Sequence, residues 1–486
     1  MNSVFKTEQE FLPAQNSYSL LPFRFIRLDA DRYVAINEVG EWQTLVRTDL
    51  DSLVKKTLRS GTFLYNSLRS KHFIEDADSG VGLDLLILKV RTKRHRTAEF
   101  TSLHMFVVTL RCNHSCQYCQ VSRQSEDRSA YDMTVEIADK GIDSVFRSPA
   151  PAIKIEFQGG ESLLNFELIK YIVLAVESRN KREKKSIVFV IATNLSVLTE
   201  EVLQFCREHE VFISTSLDGP EDLHNANRPN SSKNSYKTTL QGIAKARAAL
   251  GPERVSALMT TTKASLSRVK EIIDLYVNLD FGGIFLRNLS PYGFAIKTKS
   301  FDSYATEQWM DFYRQGLDYV IEINKDGRHF VEHYASIVLQ KMLTPYDTRY
   351  VNLQSPAGIG IAGIIYNYNG DVYPSDEARM KAEMGDLIFR MGNLLVDSYE
   401  DIMLSPALLG PLQESVAEAV PMCEECAFLP YCGSDPDYHY ATQHDFVGHK
   451  ALSGFCHKNM SIFRYLIQKM EDDPQARKVL ESWVRW

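Results

Sequence analysis

The stretch Arg111-Cys-Asn-His-Ser-Cys-Gln-Tyr-Cys119 follows an apolar run, residues 103–110, and carries three thiols at Cys112, Cys116 and Cys119. A cluster of four irons normally takes four thiolate ligands, so three thiols would leave one iron without a protein ligand. The alternatives are a zinc site that lacks its histidine and a chance grouping of small buried residues. Structural zinc normally uses paired CxxC or HxxxH arms, so the CxxxCxxC spacing favours the iron-sulfur cluster.

Apolar segments that predict strands alternate with amphipathic segments that predict helices after residue 103. The expected strands are 103–110, 153–157, 187–191, 211–216, 255–260 and 281–286, and the expected helices are 135–146, 166–176, 236–250 and 266–275. Six strand-helix units predict an α/β fold with a partial parallel (β/α)6 barrel. Reactive groups in such folds cluster at the carboxyl ends of the strands.

Polar groups follow three of these strands. After the second strand come two glycines, which allow close backbone approach to a ligand, and a carboxylate that can pair with an ammonium group; a plain turn is the alternative. After the third strand an amide can bond a ligand hydroxyl or cap its own loop. After the fourth strand a hydroxyl, a carboxylate and a guanidinium share one loop. These residues are Gly159, Gly160, Glu161, Asn194, Ser216, Asp218 and Arg228.

The cysteine loop, the Gly-Gly-Glu triplet and the string Ser216-Leu-Asp-Gly-Pro220 resemble the motifs of the radical S-adenosylmethionine (SAM) superfamily over residues 103–291. The resemblance implies that the three thiols hold a [4Fe-4S] cluster whose open iron chelates SAM. Reductive cleavage of SAM in that family yields a 5'-deoxyadenosyl radical, which abstracts a hydrogen atom from the substrate. By the same resemblance, SAM contacts Tyr118, Gly159, Gly160, Glu161, Asn194, Ser216, Asp218, Arg228 and Leu289.

Four further cysteines lie near the C-terminal end, Cys423, Cys426, Cys432 and Cys456. Four thiols complete either an iron-sulfur cluster or a structural zinc site, and their spacing does not separate the two. Upstream, residues 364–374 predict a hairpin around an Asn-Gly turn. Cys206, within a helical pattern, is expected to be a small buried apolar residue.

The hairpin and the cysteine series resemble a SPASM or twitch domain, the auxiliary-cluster module of peptide-modifying radical SAM enzymes. Two cysteines of a full SPASM domain are replaced here by Ser375 and Pro436, and the cysteines before the hairpin are absent. The resemblance therefore implies one auxiliary [4Fe-4S] cluster, on the four C-terminal cysteines. It also implies that Asp376 is the catalytic proton acceptor.

The first hundred residues predict strands at 23–28 and 33–37, a turn at Gly40, and short helices, the first capped by Thr48 or Asp49. This winged-helix-like α+β unit weakly resembles domains that bind a leader peptide at a sheet edge; a simple cap on the barrel is the alternative. The basic run Lys89-Val-Arg-Thr-Lys-Arg-His-Arg96 is expected to be a solvated linker. The predicted domains are therefore 1–98, 99–330 and 331–486.

Composition excludes several classes of protein. A net charge of -7 over 486 residues, with 24% charged residues, does not suggest a polyanion-binding protein, so no nucleic-acid partner is expected. Eight cysteines are too few for a disulfide scaffold of this length and indicate a reducing cytoplasm. The sequence shows neither a signal peptide nor an apolar run long enough to span a membrane, so a cytoplasmic protein without a membrane partner is expected.

The whole pattern is similar to the radical SAM maturases of the His-Xaa-Ser peptide system, which occur beside a second radical SAM enzyme. It implies a radical SAM oxidoreductase that modifies a ribosomally synthesised precursor peptide, with an oxidative crosslink as the expected product. A companion radical SAM enzyme and a reductant such as flavodoxin or ferredoxin are the other expected partners. The alternatives are a formylglycine-forming sulfatase maturase and a non-catalytic partner that delivers the precursor.

Overall fold

The computed structural model describes residues 18–77, 79–119, 121–231 and 233–484. Its N-terminal part contains a three-stranded antiparallel sheet, β2-β3-β4, and a separate pair, β1-β5. The strands are β1 (Tyr18–Leu20), β2 (Phe23–Arg27), β3 (Arg32–Asn37), β4 (Trp42–Val46) and β5 (Ile74–Asp76). The helices are α1 (Arg47–Val54), α2 (Phe63–Ser70) and α3 (Val81–Arg94).

The expected order of strands followed by short helices is confirmed, but two details are wrong. Helix α1 begins at Arg47, after Val46, whose side chain makes no capping hydrogen bond, and not after Thr48 or Asp49. Strand β4 runs into α1 without an intervening turn, so the sequence carries no start signal there. Leu45, Leu53, Leu68 and other apolar side chains give this unit its own buried cluster.

The basic run 89–96 is not a solvated linker, because most of it is the last part of helix α3. The Lys93 side chain is only 9% exposed, and its Nζ donates to the carbonyl oxygens of Val39, at 2.7 Å, and Lys341, at 3.1 Å. Burial lowers the pKa of Lys93 to about 7. Two carbonyl oxygens satisfy the ammonium group, so this residue joins the N-terminal unit to the rest of the chain.

Five parallel strands form the central sheet in the order β10-β9-β8-β7-β6. They are β6 (Leu103–Thr109), β7 (Ala152–Gly159), β8 (Ser186–Ala192), β9 (Phe212–Ser216) and β10 (Val255–Leu258). The helices of this part are α4 (Arg128–Tyr131), α5 (Val135–Arg147), α6 (Phe166–Glu183), α7 (Glu200–Glu208), α8 (Glu221–Asn227), α9 (Ser235–Leu250) and α10 (Val269–Asn278). Five of the six predicted strands and all four predicted helices are confirmed.

Strand β6 is mostly apolar, as expected for a strand with both faces covered. Phe106 and Val108 pack into the main core with α5, whereas Met105 and Val107 pack into a second cluster with Tyr373 and residues near it. Helix α5 begins where the Thr134 side chain accepts from the Ile137 N–H. Its buried side then lies against the sheet.

The predicted sixth strand does not join the central sheet. Only Gly283–Ile284 (β11) is a strand, and it pairs in parallel with β12 (Val331–Glu332) in a sheet of two. The reason lies in a side chain: the Glu332 carboxylate accepts from the Leu286 N–H at 3.1 Å, where a neighbouring strand would otherwise bond. One backbone bond, Thr261 N–H to Arg287 O at 2.9 Å, links this segment to the end of β10.

The C-terminal part extends the central sheet on its other side, beyond β6. Strands β13 (Gly363–Tyr366) and β14 (Asp371–Tyr373) form the expected hairpin, with Gly370 at φ +86°, and β15 (Gly392–Asn393) follows. Strand β13 pairs in parallel with β6, which the sequence did not indicate. The remaining helices are α11 (Phe294–Lys297), α12 (Thr306–Lys325), α13 (His333–Leu343), α14 (Asp376–Ala382), α15 (Tyr399–Met403), α16 (Pro406–Glu414), α17 (Pro436–Gln443), α18 (Gly454–Asp472) and α19 (Pro474–Ser482).

In the described ranges, no helix combines the length and the apolar character needed to cross a bilayer. Cys206 lies in α7 with no exposed surface, as expected for a small buried apolar residue.

Candidate functional site

The cysteine loop begins at the carboxyl end of β6 and is held by partners on several other segments. Arg111 forms an ion pair with Asp132, with 2.7 Å between Nε and Oδ1. The Ser115 N–H donates to a carbonyl oxygen at 2.7 Å, and the Phe294 N–H donates to Cys119 O at 2.9 Å. These contacts fix the loop before any ligand is bound.

Burial disfavours the thiolate forms that bind metal. It raises the pKa of Cys112 to about 12 and the pKa of Cys116 to about 11, and the nearby Arg228 guanidinium opposes the second shift. A thiolate in this loop therefore needs a positive partner. Metal binding supplies that charge and releases the thiol protons.

The donor set fits a cluster better than one ion. Among the described residues, no group of three or more His, Cys, Asp or Glu side chains is arranged to hold a single metal ion. The thiolates of a [4Fe-4S] cluster surround a larger body than one ion, and three of them leave an iron open. The donor set and spacing of Cys112, Cys116 and Cys119 match that requirement.

His114 lies between the first two thiols and was missed by the sequence analysis. It is 3% exposed, and neither ring nitrogen has a hydrogen-bond partner within the part of the chain that the structure describes. Burial, with Arg228 nearby, lowers the pKa of His114 to about 4. Unpaired buried nitrogens are costly, so they fit a loop that takes up a further group.

Tyr118, Asp218 and Arg228 come together beside the cysteine loop. The fully buried Asp218 carboxylate accepts from the Tyr118 hydroxyl and from Arg228 Nε, the latter at 3.0 Å. The Arg228 guanidinium lies 5.4 Å from the centroid of the Tyr118 ring. Because both Asp218 oxygens bond protein groups, Asp218 is placed to hold Arg228 and Tyr118 and not to touch a ligand itself.

Glu161 links the ends of two strands. Its carboxylate is 1% exposed and accepts from Thr193 Oγ1 at 2.5 Å and from the Asn194 N–H at 2.7 Å. Burial raises the pKa of Glu161, and these hydrogen bonds oppose the rise. Each oxygen already has a protein donor, so a ligand ammonium would share the carboxylate.

The two glycines before Glu161 approach the protein's own backbone. A Cβ on Gly159, at φ +155°, would lie 2.0 Å from Thr109 O, and one on Gly160 would lie 2.3 Å from Arg111 O. Their missing side chains therefore allow the end of β7 to pack against the start of the cysteine loop. The two glycines were expected to let the backbone approach a ligand closely. In the structure they instead approach the backbone of the chain itself.

Two side chains expected to contact SAM, Asn194 and Ser216, differ in how far protein hydrogen bonds already engage them. Asn194 Nδ2 donates to Asn113 Oδ1 at 3.0 Å, and its Oδ1 accepts from the Ser196 N–H at 2.9 Å. It is thus used to brace the cysteine loop, as in the loop-cap alternative. Ser216 ends β9 and is partly exposed.

Leu289 and Tyr118, both expected beside adenine, are brought together. They pack in one small apolar cluster with Ala295, at exposures of 2% and 5% respectively. The Leu289 N–H donates to the Tyr304 hydroxyl at 2.9 Å, which fixes this segment beyond β11. The structure therefore joins two residues that are far apart in sequence.

The four C-terminal cysteines line a single cavity of about 320 Å³. They come from separate segments: Cys423 and Cys426 from a turn, Cys432 from the residue after a short 3-10 helix, and Cys456 from α18. Burial raises the pKa of Cys456 to about 11. Four is the ligand number of a cluster and also of a zinc ion, but the described thiols are not arranged to hold a single ion.

A buried lysine lies at this cavity and was missed by the sequence analysis. Lys450 is 5% exposed, and its Nζ lies 3.4 Å from His439 Nε2 and 3.2 Å from Ser434 Oγ. Burial lowers the pKa of Lys450, and the neighbouring thiols of Cys423 and Cys432 oppose that shift. A cation here would offset thiolate charge.

Asp376 is engaged by a buried arginine. Its carboxylate accepts from Arg379 Nε at 3.2 Å, and the fully buried Arg379 also donates to Val121 O at 3.2 Å, just beyond the cysteine loop. The next residue, Glu377, lines a cavity that Asp376 does not line. Burial raises the pKa of Glu377 to about 7, and the nearby Asp376 and Asp435 carboxylates add to the shift. The sequence analysis did not name Glu377, although its position directly after Asp376 could have indicated it.

A family model, the Radical SAM superfamily, matches residues 106–276. The radical SAM cyclopropyl synthase TigE of Paramaledivibacter caminithermalis is 22% identical over 217 residues, 42% of this chain and 43% of that protein. The serine-type anaerobic sulfatase-maturating enzyme of Bacteroides thetaiotaomicron is 30% identical over 138 residues, 27% of this chain and 33% of that enzyme. The chain thus spans less than half the length of these curated relatives.

Matches that cover more of the chain have lower sequence identity. The cysteine-type anaerobic sulfatase-maturating enzyme of Clostridium novyi is 20% identical over 383 residues, 74% of this chain and 95% of that enzyme. The solved structure of native anSMEcpe with bound AdoMet superposes with a TM-score of 0.62 at 16% identity, over 79% of this chain and 99% of that one. This likeness shows a shared fold.

The matched region contains the cysteine loop, the Gly-Gly-Glu triplet and the Tyr118–Asp218–Arg228 group, and it includes the second half of β6 and all of β7 to β10. The cofactors of the matched family are SAM and a [4Fe-4S] cluster. Over residues 106–276 this chain matches the Radical SAM superfamily, a superfamily of enzymes.

Proposed function

We propose that this chain modifies a ribosomally synthesised precursor peptide by abstracting a hydrogen atom with the 5'-deoxyadenosyl radical, and that the product is an oxidative crosslink. The observation that carries the proposal is the presence of two thiol sites in one chain, an open three-thiol loop and a four-thiol cavity. A radical SAM cyclopropyl synthase and a sulfatase-maturating enzyme among its relatives support it.

In this proposal Cys112, Cys116 and Cys119 hold the [4Fe-4S] cluster that supplies reductive cleavage of SAM. The chain's own groups position the nucleotide. Arg228, held by Asp218, donates to the SAM carboxylate, and Glu161 shares its carboxylate with the amino group. Residues with smaller roles are the ribose contacts Ser216 and Asn194, the adenine contacts Tyr118 and Leu289, and the backbone of Gly159 and Gly160.

The four thiols of Cys423, Cys426, Cys432 and Cys456 hold the auxiliary [4Fe-4S] cluster, which supplies a one-electron acceptor. Lys450 offsets the negative charge of the thiolates. The carboxylates of helix α14, with Asp376 as the residue indicated by the family resemblance, take the proton that the substrate releases. Residues 331–486 form the SPASM-like domain in this proposal, and residues 99–330 the radical SAM barrel.

The N-terminal residues 1–98 are proposed to bind the leader segment of the precursor by strand addition. Support comes from β2 and β4, the two edges of the three-stranded sheet, of which β2 exposes Phe25 at 48%. A flavodoxin or ferredoxin supplies the electron, and a companion radical SAM enzyme acts on the same precursor.

The test is anaerobic reconstitution of the protein with a co-encoded precursor peptide, SAM and a reductant. We expect 5'-deoxyadenosine to form. The mass of the peptide should fall, because an oxidative crosslink removes hydrogen from it. Unchanged peptide mass without 5'-deoxyadenosine would contradict the proposal. In the same assay with the companion radical SAM enzyme added, modification that survives replacement of all three loop cysteines by alanine would show instead a delivery partner of that enzyme.

Formylglycine formation on a sulfatase is the second candidate, favoured by the 30% identity to the Bacteroides thetaiotaomicron enzyme. Ser375 and Pro436 stand where a full SPASM domain has cysteines, which disfavours it. A sulfatase peptide carrying cysteine or serine at the target position, used in the same assay, separates the two functions.

A further inference from the structure

A cavity of about 50 Å³ lies apart from the thiol cavity and is lined by charged and aromatic side chains. Its walls include Arg287, Asn288, Tyr334, Glu377, Asp435 and Lys458. A second cavity of about 390 Å³ adjoins it and shares several lining residues, among them Asn288, Trp309 and Lys458. We call the two together the Arg287–Glu377 chamber.

Arg287 and Glu377 bring opposite charges into the chamber and influence each other electrostatically. Within the residues that the structure describes, neither Arg287 nor Glu377 uses its charged group in an ion pair or in a hydrogen bond to another residue; the Glu377 carboxylate accepts only from its own backbone N–H. Both side chains are partly buried. Since unpaired polar groups in a cleft cost free energy, they indicate a binding site.

The other charged groups at the buried wall of the chamber are already engaged, and Asp302, at the rim, is exposed to solvent. The Asp435 carboxylate accepts from the Tyr438 N–H at 2.9 Å, and Lys458 Nζ donates to Asn288 Oδ1 at 3.2 Å. Lys458 Nζ also lies 5.4 Å from the Tyr334 ring centroid. These groups shape the wall, whereas Arg287 and Glu377 keep donor and acceptor capacity for a ligand.

The chamber lies between the two proposed cofactor sites. Asn288 directly precedes Leu289, which packs on Tyr118 beside the cysteine loop. On the other side, Lys458 follows Cys456 by two residues and interacts electrostatically with Cys432. The chamber walls therefore include residues adjacent in sequence to a contact of each site.

We propose that the chamber seats the reacting segment of the substrate peptide, with Arg287 donating to a backbone carbonyl oxygen and Glu377 accepting from a neighbouring backbone N–H. This inference rests on the proposed function, because that function makes the substrate a peptide. A peptide unit presents one acceptor and one donor, which matches a guanidinium and a carboxylate facing one cavity. The aromatic walls pack against side chains of the segment.

The test uses capped single residues as probes, since they are the smallest molecules with peptide groups on both sides of one side chain. N-acetylalanine N-methylamide and acetate are added separately to the anaerobically reconstituted protein with SAM, and saturation-transfer NMR measures binding. We expect the amide to bind the wild type, and its binding to fall about tenfold in both Arg287→Lys and Glu377→Gln. The control Glu322→Gln, on exposed α12 surface, should bind as the wild type does.

Circular dichroism and iron content show whether each variant is folded; Arg287→Gln and Glu377→Asp replace any that is not. Amide binding that is absent from the wild type, or unchanged in the variants, would overturn the proposal. Acetate binding as strong as amide binding would also overturn it, by showing an anion site. The NMR experiment needs no radical, so a lack of 5'-deoxyadenosine with intact amide binding would fault the proposed function alone.

Discussion

The two thiol sites of this protein are built in different ways. Cys112, Cys116 and Cys119 lie within one nine-residue stretch, held by backbone and side-chain bonds at the end of β6. At the second site, three thiols lie within residues 423–432, but the fourth, Cys456, joins them only when α18 docks. The first site is therefore set by local sequence, whereas completion of the second depends on tertiary packing.

The largest expected effect is on the first site. Replacing Cys112, Cys116 and Cys119 by alanine should abolish 5'-deoxyadenosine formation and remove about four irons per chain, because an iron-sulfur cluster needs its thiolates. Chromatography of the nucleosides and iron analysis measure both. Cys206→Ala is the matched control, since this buried thiol in α7 belongs to neither site. Equal iron in the triple variant and the control would contradict the assignment.

Replacing the four C-terminal cysteines should lower the melting temperature by about 5 °C or more, because a group that ties separate segments together contributes to folding. The triple variant of the first loop should melt within about 2 °C of the wild type, since hydrogen bonds already hold that loop. Anaerobic circular dichroism during heating measures both variants. Similar changes in melting temperature for the two variants would show that both sites contribute equally to folding.

Asp218→Asn tests the group beside the first site. The change leaves the largely buried Arg228 without its charged partner, so we expect SAM affinity to fall about tenfold or more and the protein to lose about 3 kcal/mol of stability. Equilibrium dialysis and denaturant titration measure these. Glu271→Gln, which removes an exposed partner of Arg268, should change neither by more than about 1 kcal/mol. Normal SAM binding in Asp218→Asn would refute a positioning role.

The smallest effect concerns the pH dependence of stability that Glu377 of the chamber produces. The pKa of Glu377 is raised from 4.5 to about 7, chiefly by burial and further by Asp376 and Asp435, with Arg287 opposing. The native protein then binds more protons than the unfolded chain between these values, so stability falls as pH rises through that window. Between about pH 5 and about pH 8, the free energy of unfolding should fall in the wild type. In Glu377→Gln we expect this fall to be smaller by about 1–2 kcal/mol. Denaturant titrations at several pH values measure this, and parallel curves would contradict it.

Sequence reasoning succeeded where the signal was local. The strand pattern around β7 and the Asn-Gly hairpin were found because their apolar spacing and turn residues are adjacent in the chain. The prediction of the sixth strand was wrong because the Glu332 side chain, and not a neighbouring strand, accepts from the Leu286 N–H. The burial of Lys93 was missed because its carbonyl partners come from distant segments.

The candidate site shows the same division. Spacing alone identified the cysteine loop, and the resemblance named Asp218 and Arg228, which the structure joins. The bracing of Asn194 by Asn113, the close approach of Gly160 to Arg111 and the free charges of Arg287 and Glu377 depend on contacts between separate elements. No sequence pattern in a single chain encodes them.

The central claim is that the cluster on Cys112, Cys116 and Cys119 has an iron that binds SAM directly. Electron paramagnetic resonance of the reduced, anaerobically reconstituted protein, recorded with and without SAM, tests it most directly. The account predicts that SAM changes the cluster signal in the wild type and in the variant lacking the four C-terminal cysteines. An identical spectrum with and without SAM, or a protein that holds only zinc, would contradict it.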